Sequence, residues 1–317
     1  MSSFKTPLTE MLGIEYPIIM APMFLVSNAK MIIAACNAGI TGAIPALNYR
    51  TDAEFRKALT EIQAATNKPF GINIITNKSN IKMREQLDTC KEFKVAFILT
   101  SLGSPETVIN ECKPLGIKVF ADVVDLAYSK KVEAMGADAL IAVNNEAGGH
   151  AGNLTPEELI PLLVKNCKIP VISAGGVGNR AGLDRMLALG ACGVSVGSPF
   201  IASDEAPISQ EYKEACVQYG EKDIVRTTKL SGTPCTVINT PYVQKIGLEQ
   251  NWLERVLSKN KTLKKYVKMI TFYKGMKQLE AAAFSATYQT MWCAGNSIEH
   301  VHAVQPVDKI VAGLLEG

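Results

Sequence analysis

The sequence predicts an α/β fold: a (β/α)8 barrel, or TIM barrel, with a small, mainly helical subdomain inserted after the eighth strand. Three observations lead there. Eight apolar runs alternate with amphipathic segments between Pro17 and Val196. The runs are near-continuous, as in parallel strands covered on both faces. The first strand-to-helix turn, Ala21 to Ser27, has no glycine. A doubly wound dinucleotide fold would carry G-x-G-x-x-G there, so eight strand–helix units favour a closed barrel over an open sheet.

The elements follow in order. Pro17 to Met23 reads as the first strand, and Ser27 to Asn37 as a helix with Ser27 as N-cap and Gly39 just past its end. Thr41 to Leu47 is the second strand, followed by a helix from Thr51 or Asp52 to Ala65. Phe70 to Ile75, Val95 to Ser101 and Lys118 to Val124 are strands three to five. Helices over Asn80–Phe93, Pro105–Pro114 and Leu126–Met135 follow them, the last capped by Asp125. Ala139 to Asn144 is strand six, and Pro156 to Asn166 a helix capped by Thr155 with proline at its first position. Pro170 to Ala174, a helix over Arg180–Leu189, and Gly193 to Val196 complete the eight units.

The last third breaks this rhythm. Glu205 to Tyr219 reads as a helix, and 223–292 fits no strand–helix repeat. Within it, Trp252 to Gln278 holds eight Lys/Arg against the single acid Glu254, a net +7. That segment is a solvated helical face, an attractor of an anionic substrate or acidic carrier protein, or a nucleic-acid site with too few aromatics to favour it. The expected division is a barrel of 1–222 and 293–317 with an inserted basic helical subdomain of 223–292. A final helix is expected over Ile298 to Leu315.

Composition excludes several classes. The chain has 317 residues, 47% hydrophobic and 20% charged, which rules out disorder and fibrous classes. A net charge of +3 argues against a dedicated nucleic-acid binder. The eight cysteines include no C-x-x-C pair, so zinc ribbons and thioredoxin-like motifs are excluded and no metal site is expected. Cys36 and Cys293 have no histidine beside them and read as structural thiols. The first ten residues lack an apolar signal region, and no run of 18 apolar residues occurs. A cytoplasmic location without a membrane span is therefore expected.

Function in such a barrel sits at the C-terminal strand ends. Strand seven ends in Ser173-Ala-Gly175-Gly176 and strand eight in Gly197-Ser198. Exposed N–H groups at these two ends suit a phosphate monoester. Strand six runs into Glu146-Ala-Gly148-Gly149-His150-Ala-Gly152. Glycines around one histidine expose an imidazole that titrates near neutrality, a base or polarising group. Asn73 ends an apolar strand, where its amide suits the edge of a flat heterocycle. Asp122 lies at another strand end and could pair with Asp125, although Asp125 reads as a cap. The segment Trp292 to Ser297, with Asn296, either caps the last helix or closes over a cofactor. His300 and His302 read as surface residues. A flavin-free phosphosugar barrel would share the phosphate site, but no strand-end lysine is found.

These motifs resemble the nitronate monooxygenases, a family related to FMN-dependent enoyl-[acyl-carrier-protein] reductases and NAD(P)H:quinone reductases. The resemblance rests on Pro17-Ile-Ile-Met-Ala-Pro-Met23, Phe70-Gly-Ile-Asn73, Glu146 to Gly152, Pro170 to Gly176, Leu187 to Ser198 and Ala294-Gly-Asn296. It implies FMN as cofactor. Ala21, Pro22 and Met23 would line the isoalloxazine, and Asn73 would hydrogen-bond it. Gly175, Gly176, Gly197 and Ser198 would hold the phosphate. Glu146, Ala147, Gly148 and Gly149 would approach the flavin, with Ser173 and Asn296 as further cofactor contacts. His150 would be the catalytic residue. The implied activity is oxidation of alkyl nitronates with O2 to a carbonyl product and nitrite. The alternative is NAD(P)H-dependent reduction of an enoyl thioester, presented by an acyl-carrier protein, or of a quinone. A small-molecule substrate is expected, no nucleic acid or membrane partner, and a homodimer by base rate. Met20, Phe24, Leu25, Pro199 and Asn296 depart from the family pattern, and Phe24 is expected to narrow the pocket.

Overall fold

The computed structural model describes residues 4–229, 234–249 and 291–316. Eight parallel strands close into a barrel in sequence order: β1 (Ile18–Met20), β2 (Thr41–Pro45), β3 (Gly71–Ile75), β4 (Phe97–Ser101), β5 (Lys118–Val123), β6 (Ala139–Val143), β7 (Val171–Ala174) and β8 (Gly193–Val196). Closure is made by β8 on β1, with Ile18 opposite Val194 and Met20 opposite Val196.

Helices separate the strands: α2 (Ala29–Asn37), α3 (Asp52–Ala65), α4 (Met83–Glu92), α5 (Glu106–Cys112), α6 (Leu126–Met135), α7 (Pro156–Asn166) and α8 (Arg180–Ala188). Asp125 caps α6 and Thr155 caps α7 as the sequence predicts. The cap of α2 is Asn28, not Ser27. Ser27 instead accepts the Met23 N–H and donates to the Ala21 carbonyl, which folds the first strand-end turn back on itself.

The near-continuous apolar strands have a clear cause. Ile18 and Met20 point outward to the helices, while Ile19 points into the barrel with Ala43, Leu99, Phe120 and Ile172. Phe97 and Phe120 stack inside at 5.0 Å. The barrel floor is closed by a helix the sequence reading did not anticipate, α1 (Pro7–Leu12), which places Leu8 and Leu12 among these interior residues.

After β8 come the single turn α9 (Ser198–Ile201) and α10 (Gln210–Gln218), which starts later than the expected Glu205. The described part of 223–292 opens with two antiparallel strands, β9 (Ile224–Thr227) and β10 (Cys235–Ile238), and a short helix, α11 (Pro241–Ile246). The basic stretch Trp252 to Gln278 lies outside the described residues. The expected final helix is two elements: a 3-10 turn over Asn296–His300 and a helix over Val307–Leu315. Pro306 lies between them and is the N-cap of the second. No helix among the described residues is long and apolar enough to cross a membrane.

Candidate active site

The C-terminal strand ends surround a mainly apolar cavity of about 710 Å³. That volume suits a cofactor or drug-sized ligand. Ala21, Pro22, Met23 and Phe24 form one wall, and Asn73 and Asp122 another. Glu146, Gly148, Gly149 and His150 come from the loop after β6, and Gly175, Gly176, Gly197 and Ser198 from the ends of β7 and β8. The strand-end reading thus assembled widely separated residues into one site.

Two expected contacts do not line the cavity. Ser173 is fully buried, donates to Met186 Sδ at 3.3 Å and accepts from Asn144 Nδ2 at 3.4 Å. Its side chain faces α8, because successive residues of a strand point to opposite faces. Asn296 turns its amide to Glu221 Oε1 at 2.8 Å, and only its backbone N–H reaches the loop, at the Glu146 carbonyl. His300 and His302 are exposed, as expected.

The phosphate-type end is built by backbone conformation. Gly175 and Gly176 both have positive φ, 113° and 81°. A Cβ at Gly176 would collide with the Glu146 carboxylate, and one at Gly175 with Asn144 and the Ala147 backbone. Glycine is therefore required twice in succession, which leaves the peptide groups bare. Asn144 fixes this turn, donating to the Gly175 carbonyl at 3.2 Å and accepting the Glu146 N–H at 2.9 Å. A carboxylate here would repel an anion, but Glu146 is held by both Arg185 terminal nitrogens at 3.0 and 2.9 Å. Arg185, which also donates to Glu157 Oε1 at 2.7 Å, thus offsets its charge. Across the cleft, Gly197 has no atom closer than 3.7 Å around the space a Cβ would fill. Ser198 Oγ accepts the Gly295 N–H at 2.8 Å, so its hydroxyl hydrogen is left to donate elsewhere. Bare N–H groups, an arginine-paired carboxylate and a hydroxyl donor fit the phosphate end of FMN.

The opposite wall holds a polar chain. Asn73 Nδ2 donates to Ser101 Oγ at 2.8 Å and to the Leu99 carbonyl at 3.1 Å. Ser101 in turn donates to Asp122 Oδ2. Asp122 is enclosed by protein yet faces the cavity, and this burial pushes its carboxyl up to about 6. With its N–H₂ committed, Asn73 presents an amide oxygen at the cavity wall.

His150 lies on a loop secured from outside the barrel. Thr236 on β10 donates to the Ala147 carbonyl at 2.6 Å and exchanges backbone hydrogen bonds with Gly149. Arg226 on β9 adds a bond to the Ala151 carbonyl at 3.1 Å. Burial lowers the imidazole pKa, so His150 is neutral at neutral pH and able to accept a proton. Tyr212, Cys235, Met291 and Cys293 also line the cavity. Strand-end position could not point to these four, because all of them follow β8.

A closed parallel barrel with a glycine-built anion end and a neutral histidine over one apolar cavity fits a flavin-dependent oxidoreductase. The chain belongs to the nitronate monooxygenase family, whose model matches residues 5–88 and 80–317. It is 34% identical over 245 residues to a (3aS,4S,5R,7aS)-5-hydroxy-7a-methyl-1-oxo-octahydro-1H-indene-4-carboxyl-CoA dehydrogenase of Mycobacterium tuberculosis, covering 76% of this chain and 68% of that protein. It is 32% identical over 274 residues to a nitronate monooxygenase of Paraburkholderia phytofirmans, covering 72% and 75% of the two chains. Among solved structures, FabK from Thermotoga maritima superposes with a TM-score of 0.84 at 29% identity, covering 98% of this chain and 95% of that one.

Proposed function

We propose that this chain is an FMN-dependent nitronate monooxygenase, oxidising an alkyl nitronate with O2 to a carbonyl product and nitrite. The observation that carries this reading is His150 on the same apolar cavity as the paired glycine ends of β7 and β8. Gly175, Gly176, Gly197 and Ser198 would hold the FMN phosphate, and Ala21, Pro22 and Met23 would lie along the ring. Asn73 would offer its amide oxygen to a ring N–H. FMN, when bound, supplies the redox centre that takes electrons from substrate and passes them to O2. The neutral His150 imidazole accepts the acidic Cα proton of a nitroalkane, and the resulting imidazolium sits beside the nitro group's negative charge. The apolar lining keeps water from competing for that proton. The test is nitrite release and O2 uptake by the FMN-loaded protein with an alkyl nitronate. Absence of both, with FMN bound, overturns the reading.

One observation favours a second reading, NAD(P)H-linked redox chemistry on an acyl thioester. The 34% identical dehydrogenase is named for a carboxyl-CoA substrate. Under this reading the basic segment Trp252 to Gln278 suits an acidic carrier or a CoA phosphate. FMN reduction by NAD(P)H, reversed by an enoyl thioester, would select it. Both readings include 223–292 as an inserted unit, a cytoplasmic location and a homodimer. Sedimentation of the purified protein tests the dimer.

A further inference from the structure

We propose that Cys235 and Cys293 form a redox-active dithiol in the cavity wall that low-molecular-weight disulfides oxidise to an internal disulfide. The two sulfurs lie 3.7 Å apart, although the residues are 58 positions apart in sequence. Both line the cavity. A disulfide needs its sulfurs at about 2.05 Å, so a modest approach of two side chains closes the bond.

The surroundings favour this pair over the other thiols. Cys36, Cys90, Cys112, Cys167, Cys192 and Cys216 are all buried, and none of them lines the cavity. Cys293 is half-buried and reachable from the cavity, whereas Cys235 is fully buried behind it. Contact with the Cys293 thiol, and then burial, hold the Cys235 thiol protonated. This asymmetry sets the order of attack, since the accessible thiolate is the nucleophile.

Cys293 thiolate attacks one sulfur of a small disulfide, forming a mixed disulfide and releasing one small thiolate. Cys235 then loses its proton and attacks Cys293 Sγ. The Cys235–Cys293 bond forms and the second small thiolate leaves. Two protein thiols are oxidised by two electrons, the small disulfide is reduced to two thiols, and the two protein protons end on them.

Both partners belong to fixed pieces of the site. Cys235 precedes Thr236, which is bonded to the His150 loop, and the Cys293 carbonyl accepts the Tyr212 hydroxyl at 2.6 Å. Tyr212 stacks on Trp292 at 5.4 Å. These anchors hold the two sulfurs in register without any covalent link.

The test treats the whole protein, in its native state, with glutathione disulfide and maps its cysteines by mass spectrometry. The expected result is loss of two hydrogens with a single Cys235–Cys293 cross-link, reversed by dithiothreitol. Cys235→Ser should stop at a glutathione adduct on Cys293, and Cys293→Ser should give neither adduct nor link. Wild-type mapping decides the matter even if a variant fails to fold. Unchanged thiols, a persistent adduct on Cys293 of the wild type, or a link between other cysteines such as Cys90 and Cys112 would overturn the proposal.

Discussion

Thr236 donates its hydroxyl to the Ala147 carbonyl at 2.6 Å, fastening β10 to the loop that carries His150. The Gly149 and Thr236 backbones close a bridge beside it. The barrel supplies the strand end, but the segment after β8 fixes the His150 loop. Thr236→Val keeps the shape and removes the hydroxyl, leaving a buried carbonyl short of a partner. We expect a loss of about 1–2 kcal/mol of stability and a lower kcat at unchanged FMN content. Urea unfolding and steady-state kinetics check both parts.

His150→Ala should retain FMN but lose roughly 10²–10⁴-fold in turnover of a neutral nitroalkane. Turnover of preformed nitronate should fall much less, because its proton is already gone. Since burial lowers the imidazole pKa, kcat/KM for the neutral nitroalkane should rise with pH through a value below the ordinary 6.5. A pH series on wild type and variant measures this directly.

Arg185 pairs with Glu146 beside the glycine turn, so Arg185→Met should weaken FMN retention by leaving an unpaired carboxylate near the phosphate. Adding Glu146→Gln should restore much of the loss, since the repelling charge goes with it. FMN dissociation followed by fluorescence in the three variants decides. Equal weakening in single and double variants would place the effect in packing instead.

Gly176→Asp should abolish FMN retention. Its φ of 81° disfavours any side chain, and the added carboxylate would meet both Glu146 and the phosphate. A stoichiometrically yellow variant would remove the phosphate from this turn.

Asp122 makes a stability prediction with a definite sign. Its carboxyl is raised from 3.8 to about 6, so the folded state holds this proton more tightly than the unfolded chain. Stability from this group is fully present below 3.8 and is lost as pH rises towards 6. Asp122→Asn removes that dependence while still accepting from Ser101. The variant should gain on wild type between pH 4 and 7 by at most about 3 kcal/mol. Denaturant midpoints at the two pH values give the difference.

The barrel was legible because every strand is buried on both faces, which leaves unbroken apolar runs such as Phe97–Leu99 and Ala139–Ala142. The floor helix was missed although its signals were present: Thr6 as cap, Pro7 first, Gly13 at its end. The β9–β10 pair was missed because each strand is only four residues long and lies in a stretch without the strand–helix rhythm. Position at a strand end located Asn73, His150 and the glycines, but it does not say which way a side chain turns. Ser173 therefore faced Met186, and Asn296 was drawn to Glu221. The Arg185–Glu146 pair and the Thr236 anchor are contacts across 39 and 89 positions, and no local pattern encodes them.

The most direct test of the central claim is an anaerobic titration of the FMN-loaded protein, followed at the flavin absorbance band near 450 nm. An alkyl nitronate should bleach the flavin while NADH and NADPH leave it oxidised. Rapid bleaching by NAD(P)H with no response to nitronate would contradict the account and assign the cavity to a reductase.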